Sequence, residues 1–162
     1  VIRRRDPGEV QGWGHPCRAY SYAAIALLVH TIEMAEGLPG WLAARDPSVL
    51  LTGPQASQAL IGLGLGGMAI LILGRSVPNR PVQIVVALVV GMLLARVVTL
   101  VTLSLAGWNY VPGTATALAL VLPAALWLYR NLPLADPARL IGAGAGVLAM
   151  APITWAALWL AG

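Results

Sequence analysis

His30, Glu33 and Arg96 are the residues through which this chain could do chemistry, because each is ionisable and each interrupts a run of apolar residues. Arg96 lies within Pro81–Leu105, a stretch long enough to cross a bilayer, where a permanent charge calls for a counter-charge or a polar cavity. His30 and Glu33 are three residues apart, so on a helix they share a face, which Glu36 extends by three more. An imidazole and a carboxylate so spaced can shuttle a proton or serve as general acid and base. The expected catalytic set is therefore His30, Glu33 and Arg96, with Glu33 and Arg96 in hydrogen-bonding reach, directly or through one water. A purely structural ion pair is the competing reading of the same residues, and a proton-transport path is the third.

The elements that must position these groups are helices in a membrane. Of 162 residues, 59% are hydrophobic and 10% charged, with a mean hydropathy of +0.80. A soluble domain carries roughly 25% charged residues, so this composition cannot cover a soluble surface. The expected fold is an all-α, polytopic membrane helix bundle with about five transmembrane helices. Five segments have the ~17–25 largely apolar residues that a span needs: Ala19–Leu38, Gln55–Gly74, Pro81–Leu105, Thr114–Tyr129 and Leu140–Leu160. The fourth is the shortest and contains Pro123. Breaker-rich links divide them: Pro39-Gly40 with Asp46-Pro47, then Ser76 to Arg80, Gly107 to Gly113 and Asn131 to Ala138. Residues 1–18 form a cytoplasmic N-terminal segment and residues 19–162 a single transmembrane domain.

Arginine placement sets the orientation. With a cytoplasmic N-terminus, five spans put Arg3, Arg4, Arg5, Arg18, Arg75, Arg80, Arg130 and Arg139 inside and Arg45 outside. That asymmetry is the one the positive-inside rule expects, and it leaves the C-terminus extracytoplasmic. The net charge of +4 thus orients the chain in lipid, and nucleic acid is not an expected partner. All the basic residues are Arg and Phe is absent, a composition typical of a GC-rich bacterial genome, so the expected location is a bacterial inner membrane. Arg3 to Arg5 are followed by a polar stretch instead of an apolar core, so the first span is expected to be retained and not cleaved as a signal peptide.

Depth along each helix follows from the rise of about 1.5 Å per residue. Measured from the inner arginines, Glu33 lies at ~22 Å, Arg96 at ~24 Å, and Gln58 and Trp155 at ~25 Å. Thr99 and Thr154 belong to the same slab, with His30 about one turn deeper. Gln58, Thr99, Thr154 and Trp155 are accordingly expected to line a ligand site in the outer half of the membrane, capped by the Trp108-Asn109-Tyr110 loop.

Other signals are weaker than they look. Gly62 to Gly67 formally match a dinucleotide fingerprint, but that motif needs a strand before it and a helix after it, and here it stands inside a span. Gly62 with Gly66, and Gly142 with Gly146, read instead as small-residue faces for helix packing. Trp13, Tyr20, Trp41, Trp108, Tyr110, Trp127, Tyr129 and Trp159 read as interfacial anchors. Cys17 is the single cysteine, which excludes an intrachain disulfide. His15 and Cys17 form too sparse a pair for a metal site, and His30 lacks a facing histidine that would complete haem ligation. No metal or cofactor is expected. The leading expectation is a small membrane-embedded enzyme or binder of a lipophilic, isoprenoid-like molecule, of isomerase, cyclase or hydrolase type if an enzyme. A non-catalytic subunit, packing through its glycine faces into a homo-oligomer or larger membrane complex, comes second. A proton-linked transporter comes third, since five helices offer no even pair of inverted repeats.

Overall fold

The computed structural model describes residues 15–45 and 53–161, with side chains from Cys17 onward; Arg3 to Arg5, Trp13, the His15 side chain and Asp46-Pro47 lie outside this description. The described residues form five helical segments and no strand. They are α1 (His15–Arg45), α2 (Gly53–Ser76), α3 (Arg80–Ala106), a composite α4 and α5 (Asp136–Leu160). Helix α4 begins with one turn at Thr114–Thr116, continues as a π-helical stretch at Ala117–Val121, and ends as an α-helix at Leu122–Asn131. All five expected apolar segments are helical. Helices α2, α3 and α5 are long and apolar enough to cross a membrane. Helix α1 has the length, but His30, Glu33 and Glu36 dilute its apolar content, and α4 is broken by its π-helical stretch.

Prolines shape three of these elements. Asn79 caps α3 by accepting the Val82 amide at 3.1 Å, and Pro81 occupies the first turn, where no amide is needed. Pro39 lies inside α1 and cannot donate to the Ala35 carbonyl four residues back. The Ser57 hydroxyl of α2 donates to that carbonyl at 2.9 Å, so the helix runs on unbroken. Pro123 has no amide to continue the ladder of α4, and the ladder ahead of it widens, with the Leu122 amide reaching Ala117.

Helices α1 and α2 pack as one pair, and α3 and α5 as another. Glycines allow both. A Cβ on Gly64 would lie 2.3 Å from the Thr31 hydroxyl, and one on Gly67 would lie 2.9 Å from Leu27. At the second interface, a Cβ on Gly91 would fall 1.9 Å from the Ala143 carbonyl oxygen, and one on Gly146 would fall 1.9 Å from that of Leu88. Gly142 and Gly146 are thus helix-packing residues within the chain. Gly62 and Gly66 are not, because a Cβ on either meets nothing within 4 Å. The tight positions of α2 are Gly64 and Gly67, on the neighbouring face.

The Tyr20 end of the bundle carries a buried polar contact. Tyr20 is 4% exposed and its hydroxyl donates to Gln83, whose amide donates to the Gly74 carbonyl at 2.8 Å. Tyr20 is therefore a core residue and not an interfacial anchor. At the α4–α5 corner Arg139 pairs with Asp136, donates to the Tyr129 carbonyl at 3.2 Å, and stacks on the Tyr129 ring. A cation there offsets the partial negative charge of the α4 C-terminus.

Candidate functional site

Helix α1 carries the centre of the site. One helical turn separates His30 from Glu33, and both reach across to the segment that joins α3 to α4. The His30 ring is 2% exposed, and its Nδ1 lies 2.9 Å from the Thr116 hydroxyl. Glu33 Oε1 accepts from the Tyr110 hydroxyl at 2.5 Å and from the Gly113 amide at 3.0 Å. Tyr110 lies outside the helices, and its hydrogen bond to the Glu33 carboxylate raises the phenol above its ordinary value. Gly113 adopts φ +91°, which favours glycine, and a Cβ there would lie 2.2 Å from Met34 Sδ. The segment is braced a second time by Ser104, which lies 2.9 Å from the Thr114 hydroxyl and accepts the Val111 amide at 3.3 Å. Tyr110 thus latches its loop to α1 at this end of the bundle.

Below this latch lies a cavity of about 290 Å³, between the α1–α2 pair and the α3–α5 pair. His30, Thr31 and Met34 line it from α1, Met92 and Arg96 from α3, and Thr154 from α5. Gly62 and Gly66 give it an open wall on α2, since both are exposed. The walls are otherwise apolar. Two buried polar atoms have no hydrogen-bond partner among the described residues: Nε2 of His30, which lines the cavity, and Oε2 of Glu33, which does not. Leaving such an atom unpaired costs about 1–3 kcal/mol.

The expected residues divide. His30, Arg96 and Thr154 meet at this cavity. Thr154 also donates to the Met150 carbonyl of its own helix at 2.8 Å. Gln58 and Thr99 are exposed, with the Thr99 hydroxyl bonded to Ala95 at 2.9 Å, and Trp155 is 70% exposed; none of the three lines the cavity. The expected Glu33–Arg96 contact is replaced by another arrangement. Glu33 is turned to Tyr110 and Gly113, and Arg96 forms no ion pair among the described residues. Depth along a helix carries no information about which way each side chain faces. Thr116, Gly113, Met34 and Met92 were not anticipated. The Pro112-Gly113-Thr114 sequence between two apolar runs was the available signal for the first two.

Neither the curated proteins nor the solved structures contain a match to this chain. One family profile does match, over residues 22–128. Within that range His30-Thr31-Ile32-Glu33-Met34 has a histidine and a glutamate at the spacing of an HXXEE pattern, both of them residues of the latch, with Met34 in the place of its second glutamate. With most of its length covered by that match, the chain belongs to the family described as proteins of unknown function with an HXXEE motif.

Proposed function

We propose that this protein is a small membrane-embedded binder or enzyme for a lipophilic molecule, with His30 as its acid–base group. One observation carries the reading: a histidine 2% exposed, held through Nδ1 by Thr116, lines an apolar cavity with its Nε2 unpartnered. A site with mostly apolar walls and a few convergent polar groups suits a small lipophilic ligand. Buried ionisable residues within a span favour function over architecture. The exposed glycines of α2 offer a lateral way in from lipid. In this reading Arg96 positions or neutralises charge on the ligand, and Glu33 is a positioning residue that holds the Tyr110–Gly113 segment over the cavity. All five helices span a bacterial inner membrane, with the N-terminus cytoplasmic and the C-terminus extracytoplasmic.

The test uses the full chain in nanodiscs of zwitterionic lipid, with labelled decanol as probe. Saturable binding above that of empty discs is expected, and Gly66→Leu should weaken it at least tenfold, because this lining position has room for a side chain. Absence of saturable binding overturns the reading. The subunit alternative is favoured by one observation, that Gly62, Gly66 and Gly144 meet nothing within 4 Å and so stand ready for another helix. It predicts that Gly66→Leu changes the oligomeric state and leaves decanol binding untouched.

A further inference from the structure

We infer that the cavity takes a single-chain lipophile with a monoanionic head, in the simplest case a carboxylate, held by the Arg96 guanidinium. The inference rests on the lipophile-binding reading above and adds the charge of the head and the length of the tail.

Charge balance points to the head. Arg96 lines an apolar cavity, and the described residues give it no acid: Glu33 is committed to Tyr110 and Gly113 and does not line the cavity. The motif's second glutamate would supply one. Its position is occupied here by Met34, which is 2% exposed and lines the same cavity as Arg96. A carboxylate at position 34 would face the guanidinium across the cavity; the thioether of Met34 leaves that charge unmatched. An uncompensated charge in a desolvated site is costly, and an anionic ligand removes the cost.

One positive charge matches one carboxylate. Volume sets the tail. At ~30 Å³ per water-sized group, 290 Å³ holds about ten such groups. A ten-carbon chain fills it, and a longer one would extend past Gly62 and Gly66 toward lipid.

The experiment compares labelled decanoate and decanol, which share a tail, on the full chain in zwitterionic nanodiscs, each corrected for partition into empty discs. Decanoate should bind at least tenfold more tightly than decanol. Arg96→Gln should abolish that preference, and Met34→Glu, which restores the motif and supplies an internal counter-charge, should do the same. If Met34→Glu fails to fold, Arg96→Gln decides. Equal affinity for the two probes in the unmodified chain overturns the assignment of the head and leaves the lipophile reading standing. A preference that survives Arg96→Gln also overturns it. Saturable binding of neither probe overturns both.

Discussion

Glu33 shows what a single side chain does here: it ties α1 to the loop before α4 through a phenol and a backbone amide. Hydrogen bonds to a carboxylate are stronger than neutral ones, but Tyr110 is half-exposed, so Tyr110→Phe should cost only about 1 kcal/mol in unfolding measurements. The same bond predicts a pH dependence. The phenol is raised above 10.0 in the folded chain, so the contribution of the bond is complete below that pH and is lost as pH climbs through the raised value. Tyrosinate absorbance of the chain against Tyr110→Phe should isolate this titration, and Glu33→Gln should move it down. An unchanged titration in Glu33→Gln would show that the carboxylate is not the cause. The spacing of His30 and Glu33 was enough to put both on one face of α1, because a three-residue interval fixes a shared face. Their partners were not legible, because Tyr110 and Thr116 are 77 and 86 residues away and only the packing of helices brings them in.

At the scale of the elements, the α1–α2 contact contains an exchange of donors. Ser57 replaces the amide that Pro39 lacks, so Ser57→Ala should leave the Ala35 carbonyl unpaired and destabilise the protein by about 1–2 kcal/mol. Pro39→Ala restores a backbone donor, and the double variant should recover most of that loss. Additive losses in the double-mutant cycle would refute the exchange. The glycines divide in the same way. Gly91→Ala should be strongly destabilising, by about 1–3 kcal/mol or more, since its Cβ meets a backbone carbonyl that cannot move without its helix. Gly62→Ala should be neutral or stabilising in the same thermal unfolding series, as space is free there and alanine favours helix. Apolar run length and breaker residues were sufficient to locate all five helices. Which glycines pack was not readable, because Gly62, Gly64, Gly66 and Gly67 share one short segment and differ only in the direction they face.

For the whole molecule, the prominent property is an apolar exterior. Ile141, Leu148 and Trp159 are each more than 70% exposed. Such a surface is one that a bilayer accommodates. Reporter fusions at Pro78, Tyr110 and Leu134 should therefore alternate inside, outside, inside. Finding Pro78 and Tyr110 on one side would remove α3 as a span. Composition made the helical class evident, since 10% charge cannot clothe a soluble surface. The cavity was not evident, because it arises from the looser joining of two tight helix pairs, a property of no single segment.

The π-helical stretch Ala117–Val121 has a consequence for heredity as much as for mechanics. It holds one more residue than an α-helical ladder would, and such a surplus can be removed without breaking the chain's path. Deleting Leu118 would let the ladder close in ordinary register and turn everything before it by about 100° relative to Leu122–Asn131. Thr116 would swing off His30 and Gly113 off Glu33 while the helix itself survived. A one-codon deletion would thus disarm the latch and spare the fold. Helical content by circular dichroism should stay unchanged in that variant, and the Tyr110 titration should return to that of an ordinary phenol.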